Sequence, residues 1–100
     1  MDFVWDEHKN RQNIRRHDFD FADARQVSAG PLLAAIDTRQ DYGEERWVGI
    51  GMMQGLVAVV VFTQPQPDVM RIISLRKATK KERRRFERFT GSQGRRGVWE

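Results

Sequence analysis

The chain contains no cysteine, three prolines and two histidines, and each scarcity removes a class of protein. Without thiols there is no disulfide scaffold, no thiolate zinc site and no cysteine nucleophile. Two imidazoles, with carboxylates at no ligand spacing, give no metal signature, so neither a metal nor another cofactor is expected. Long hydrophobic runs are also missing. The longest, Leu56 to Phe62, has seven residues, too few for a membrane span or a secretory core segment. A soluble, cytoplasmic chain with no membrane partner is the expectation. There is no Ser-His-Asp arrangement and no glycine-rich phosphate loop. Gly49-Ile-Gly51 sits inside a strand pattern with no helix after it, so it is no dinucleotide fingerprint; two glycines on one face instead let a helix approach the sheet closely.

What the chain has in excess is positive charge at one end. Residues 71 to 100 hold eight Arg and three Lys against three Glu, a formal +8, while residues 1 to 70 hold seven cations against eleven carboxylates, a formal −4. The overall +4 and pI near 10.1 therefore conceal a polarised molecule, and a nucleic-acid partner for the basic end is expected. One hundred residues make a single domain with a modest core.

Phe3-Val-Trp5 reads as an edge strand, and Asp6 as the N-cap of a helix from about Glu7 to His17. Ile14 is the only strongly apolar residue of that helix, which predicts a surface helix burying one narrow stripe. Phe19, Phe21, Ala22, Ala24 and Val27 predict a second short helix, capped near Asp18 or Asp20 and ended by Gly30-Pro31. Strand patterns follow: a short Leu32 to Ile36, then Glu45 to Met53, Leu56 to Gln64 and Val69 to Lys77. Gln54-Gly55 and the stretch Pro65 to Asp68 supply the turns of an antiparallel meander, with the doubly apolar Leu56 strand at its centre. Thr79 caps a basic helix to about Phe89, with Glu82 in the capping-box position and Phe86 and Phe89 as anchors. Residues 91–100 read as a flexible basic tail.

The candidate site residues are cations near strand ends. On a regular strand Arg71 and Lys77 share one parity and Ser74 and Arg76 the other, so a bulge or the strand end is needed to gather Arg71, Arg76 and Lys77. Counting through the hairpins places Arg46 near Arg76 and Lys77. Converging guanidiniums suit the charge that builds on phosphate oxygens during transfer. Glu45 is a candidate to orient an arginine or act as base, against the plainer reading of an exposed Arg–Glu pair. Lys80, Lys81, Arg84 and Arg85 offer an RNA-backbone surface or simply a solvated helix face. Lys9, Asn13 and His17 recur at intervals of four on one helix face. A structural hydrogen-bond role suits that face, and His17 is the better of the two histidines for acid or base work.

The segment FVWDEHKNRQNIRRHDFDFADA resembles the opening of the BrnT toxins: an aromatic-x-Trp-Asp-x-x-Lys-x-x-x-Asn pattern, then Lys/Arg-His, Phe and a Glu/Asp-Ala pair. DYGEERWVGIG and RIISLRKATKKERRRFE resemble the family's other two blocks, in the same order. The resemblance spans about residues 2–90 and implies a single toxin domain over 1–90 with a RelE-like ribonuclease fold. It further implies a partner antitoxin of the BrnA kind with a ribbon-helix-helix domain, a complex that represses its own promoter, and toxin dimers within that complex. Asp18 departs from the glycine frequent after the family's histidine, which weakens the expectation of a left-handed cap there.

The resulting expectation is an α+β domain with two N-terminal helices, an antiparallel sheet and a C-terminal basic helix, acting as a metal-independent endoribonuclease toxin. Arg46, Arg71, Arg76 and Lys77 are the candidates for phosphate charge, and Glu45 or His17 for the base. A noncatalytic nucleic-acid-binding regulator using the same basic end is the alternative, because phosphate binding and phosphate chemistry draw on the same side chains.

Overall fold

The structure is a computed structural model and describes residues 1–39 and 41–93. Its elements are β1 (Asp2–Trp5), α1 (Glu7–His17), a 3₁₀ turn (Phe21–Asp23), α2 (Ala24–Ala29), β2 (Leu33–Ile36), β3 (Trp47–Met53), β4 (Leu56–Gln66), β5 (Val69–Lys77) and α3 (Lys80–Gln93). The five strands form one sheet in the order β1-β5-β4-β3-β2. Strands β2 to β5 pair antiparallel, as the turn signals require, whereas β1 pairs parallel to β5 from Asp2–Val69 to Trp5–Ile72. The sheet is therefore mixed rather than wholly antiparallel. A parallel neighbour needs a crossover between the two strands, and everything from α1 to β4 supplies it.

Local chemistry explains most boundaries. The Asp6 carboxylate accepts from the amides of His8 (2.8 Å) and Lys9 (3.1 Å) and opens α1. Asp18 closes it in a left-handed conformation, φ 62°, its N–H donating to the Ile14 carbonyl. The left-handed cap is thus formed at Asp18 without a glycine, since a short polar side chain tolerates that region better than most. Asp20 accepts from Ala22 N at 2.9 Å to start the 3₁₀ turn. Gln54 and Gly55 both have positive φ, 53° and 79°, which matches the right-handed twist of the hairpin they close. The second hairpin is tighter than expected: β4 continues through Pro65 to Gln66, so Pro67-Asp68 alone make the turn, with Pro65 in the irregular stretch between Thr63 and Gln66. Thr79 Oγ1 accepts from Glu82 N (3.2 Å) and Glu82 accepts from Thr79 N (2.8 Å), a reciprocal box. From there α3 runs to Gln93, past the Phe89 end and into the expected tail; residues 94–100 of that tail lie outside the described residues.

The sheet has a core on each face. Phe21, Ala24 and Val27 pack with Met53, Ala58, Val60, Phe62, Met70, Ile72 and Leu75 on one side. Phe86 of α3 packs with Leu33, Ile50, Val59 and Ala78 on the other, with Phe89 at its margin. β4 contributes to both, which fits its central place. Gly49 and Gly51 allow the close approach of the segment before β2. A Cβ on Gly51 would sit 2.9 Å from the Val27 carbonyl oxygen, and one on Gly49 2.9 Å from Leu32 Cδ1.

α1 does not bury an apolar stripe. Ile14 is exposed while Asn10 and Asn13 are buried. Asn13 Nδ2 donates to the Leu75 carbonyl (2.8 Å) and its Oδ1 accepts from Leu75 N (3.2 Å). β1 stops opposite Ile72, so the Leu75 backbone has no strand on that side, and one carboxamide takes the place of a missing neighbour. Asn10 does similar service, accepting from Phe21 N (2.8 Å) and donating to Asp20 (3.0 Å).

Candidate active site

The shape of the site follows from one extra residue in β5. Val61 pairs with Ser74 and Phe62 with Ile72, leaving Ile73 without a partner on β4 and reversing side-chain alternation beyond it. Arg71 and Arg76, on opposite parities in the sequence, consequently share one face of the sheet. Arg71 lies opposite Thr63, Ser74 opposite Val61 and Arg76 opposite Val59. This is the face that α3 covers over Ile50 and Val59, and the side chains of Arg71 and Arg76 remain 43% and 33% exposed beside it.

Arg46 joins them from the start of β3. Trp47 lies opposite Phe62, so the residue before it arrives next to Thr63 and hence Arg71. Its guanidinium sits 4.0 Å from the Tyr42 ring centroid, an attractive cation–π distance, and 3.9 Å from Glu44. Arg71 Nη2 donates to both Glu44 oxygens at 2.9 and 3.0 Å. One carboxylate thus holds Arg71 by hydrogen bonds and stands within ion-pair range of Arg46. The Nε of Arg46 and the hydroxyl of Thr63 are buried and lack a hydrogen-bond partner among the described residues.

The expected meeting of Arg46 with Arg76 and Lys77 does not occur. Two reversals separate β3 from β5, so the strands run the same way and their starts, not start and finish, lie together. Arg76 stands four β4 positions from Arg71's partner, about 13 Å along the sheet at ~3.3 Å per residue. Lys77 pairs with Ala58 of the opposite core and lines a separate groove with Met52, Leu56 and Phe86. The orienting role expected of Glu45 belongs to Glu44. Glu45 lines a cavity of about 360 Å³ together with Glu44, Trp47, Thr63, Gln64 and Pro65.

Arg76 is held from α3. Its Nη1 and Nη2 donate to the two Glu82 oxygens at 2.8 and 2.9 Å, a fork that fixes the guanidinium plane. This hydrogen bond, more than the opposing burial, holds the Glu82 carboxyl down to about 2 and raises Arg76. A fourth guanidinium, not anticipated from the sequence, is Arg39. Its Nε and Nη2 donate to Asp37 at 2.9 and 2.8 Å, and Tyr42 Oη donates to the same carboxylate at 3.1 Å. The Asp37 side chain is 1% exposed, and the Arg39 hydrogen bond keeps its carboxyl well below the usual range against the cost of burial. The positive charge of Arg39 is felt at Arg76. The signal was visible as Asp37-Thr-Arg39, but only the folded loop aims the pair.

His17 lies at the end of α1, half-buried in a groove with Lys9, Gln12, Asn13, Arg16, Ile73 and Ser74. Burial, and then the charges of Arg16 and Arg76, lower its pKa below the ordinary value, so the imidazole is largely neutral at pH 7 and able to accept a proton. Lys80, Lys81, Arg84 and Arg85 are exposed on the outer side of α3, where with Arg88 they line a cavity of about 470 Å³. Among the described residues, no group of three or more His, Asp or Glu side chains is placed to hold a metal ion, and no helix is long and apolar enough to cross a membrane.

The fold and site define a small α+β protein that presents carboxylate-oriented guanidiniums on a partly open sheet face, a surface suited to a polyanion. Residues 5–82 match the family described as the ribonuclease toxin, BrnT, of type II toxin–antitoxin systems, and the chain belongs to that family. Among solved structures it is similar to the Brucella abortus ribonuclease toxin BrnT, crystallised at 1.1 Å, with 28% identity over 80% of this chain and 99% of that one and a TM-score of 0.60. No curated protein matches the chain.

Proposed function

We propose that this toxin cleaves RNA without a metal ion, with successive phosphates of the strand held on the sheet face by Arg46 and Arg71 at one end and by Arg76 about 13 Å further along. The observation that carries this reading is the Ile73 bulge, which turns Arg71 and Arg76 to one side. The 2′-hydroxyl attacks the adjacent phosphorus in line, its proton passes to a base, the bond to the 5′-oxygen breaks, and that oxygen takes up a proton. A 2′,3′-cyclic phosphate and a 5′-hydroxyl result. The guanidiniums offset charge on the non-bridging oxygens as the five-coordinate arrangement forms. His17, largely neutral near pH 7 and within the field of Arg76, is one candidate base, and Glu45, which lines a cavity with Glu44 and Thr63 beside Arg71, is the other. Positioning of the strand supplies much of the rate, as the resemblance to RelE-like enzymes implies.

Lys80, Lys81, Arg84 and Arg85 attract the RNA backbone at longer range. The same basic end is where an antitoxin of the BrnA type gains both encounter rate and contacts. Its ribbon-helix-helix domains pair two toxins and bring the complex to promoter DNA. Purified protein is expected to cleave single-stranded RNA in EDTA and to leave cyclic or 3′-phosphate ends. Dependence on added divalent metal, or 3′-hydroxyl ends, contradicts the mechanism.

A further inference from the structure

On the sheet face Arg71 is tied to Glu44 and Arg76 to Glu82, Arg46 lies 3.9 Å from Glu44, and Arg39 of the adjoining loop is tied to Asp37. Among the described residues the cations of α1 enter no such pair. Lys9, Gln12, Asn13, Arg16 and His17 recur at alternating steps of three and one, which aligns them on one helix face. That face looks across a groove of about 190 Å³ onto Ile73 and Ser74, and among the described residues no carboxylate lines it. Asn13 is committed to the Leu75 backbone and fixes the floor. Lys9 and Arg16 enter no ion pair among the described residues; Lys9 feels Asp6 only at longer range, and that carboxylate already caps α1.

We propose that this groove is a second phosphate subsite, which holds an RNA phosphate flanking the scissile one as the strand passes from Arg76 over the Ile73 bulge to α1. The proposal rests on the sheet-face reading above and adds a path to it. Two cations that enter no ion pair among the described residues give up no existing partner when a phosphate arrives, whereas the paired sheet-face arginines must share theirs. The Gln12 amide and Ser74 hydroxyl add neutral donors. The position is open because β1 ends opposite Ile72, so no strand among the described residues covers β5 at the bulge. Continuity with the site is electrostatic as well as spatial, since His17 in the groove feels both Arg16 and Arg76. Single-stranded RNA fits this course, as a charged track along a backbone is how such strands are held without regard to sequence.

The test uses full-length protein and two RNA probes whose 2′-oxygens are methylated and cannot attack, a dinucleotide and a hexanucleotide. Their affinities are measured against salt for the wild type, for the double variant Lys9→Gln/Arg16→Gln and for Arg71→Ala, with melting curves to verify folding; Lys9 and Arg16 are exposed and their replacement leaves the core untouched. In the double variant the ratio of hexanucleotide to dinucleotide affinity is expected to fall about tenfold, and the salt slope to drop by ~0.7 for each phosphate no longer neutralised. Arg71→Ala should weaken both probes together. A ratio within twofold of wild type, while Arg71→Ala still weakens both, overturns the groove and leaves the sheet-face site standing; a groove that receives an acidic protein segment instead gives that same result. A fallen ratio with no effect of Arg71→Ala upholds the groove and overturns the sheet-face reading.

Discussion

Glu82 reaches from the first turn of α3 to Arg76 on β5, its two oxygens accepting from Nη1 and Nη2 at 2.8 and 2.9 Å, while one of them also accepts from Thr79 N. A single carboxylate therefore starts a helix and orients a site arginine. Glu82→Ala is expected to lower the melting temperature through the lost bonds to Thr79 N and Arg76, hydrogen bonds to a charged group being worth about 1.5–3 kcal/mol each, and to lower RNA cleavage beyond what the stability loss explains. Cleavage at the wild-type rate in a folded Glu82→Ala protein would show that Arg76 needs no orientation.

The same carboxyl sets an acid limit. Its folded-state pKa is depressed from 4.5 to about 2, so the stability it contributes is full above its unfolded value and is lost as pH falls from about 4.5 toward 2. Asp37, also depressed, loses its contribution below its own unfolded value in the same direction. Denaturant melts at pH 6, 4 and 3 should show stability falling over this window, and Glu82→Gln should remove on the order of 2 kcal/mol of that fall once partial exposure is allowed for. An unchanged acid slope in Glu82→Gln would assign the effect elsewhere.

Replacing Arg46, Arg71 or Arg76 by Ala should reduce growth arrest and RNA cleavage beyond what any fall in melting temperature explains; Arg76→Ala also breaks the pair with Glu82 and loses the stability that pair contributes. Loss of one preorganised charge donor typically costs about a hundred- to a thousandfold in rate. Full activity in all three well-expressed variants contradicts the site assignment.

Asn13→Leu should be among the most destabilising changes on α1. It strands the N–H and carbonyl of Leu75 in a buried place, at roughly 1–3 kcal/mol for each unsatisfied group. Asn13→Asp should also destabilise, since a carboxylate can accept from Leu75 N but repels its carbonyl. Urea melts check both, and Ile14→Ala, at an exposed position, is the mild control.

Charge reversal at Lys80, Lys81, Arg84 and Arg85 together should slow antitoxin association and flatten its salt dependence, as these exposed cations act at long range. Binding kinetics at several salt concentrations read both effects. Unchanged kinetics would place the antitoxin on another surface.

Signals that act within a few residues were legible in the chain. Asp6 caps α1, Gln54-Gly55 turns the hairpin and Thr79 with Glu82 boxes the start of α3, because each depends on hydrogen bonds or φ preferences that neighbours satisfy. The +8 bias after residue 70 and the double apolar face of β4 were equally plain, since composition and parity need no knowledge of partners. The tertiary structure decided what those signals could not reach. Whether Arg71 and Arg76 share a face hangs on Ile73 being skipped by β4, and Arg46 meets Arg71 rather than Arg76 because two reversals restore the direction of the chain. Likewise Glu44 rather than Glu45 holds Arg71, and Asn13 rather than Ile14 is buried. All of these outcomes rest on contacts between residues far apart in the chain, and on β5 the deciding one is ladder register, where a shift of one residue exchanges the two faces of a strand.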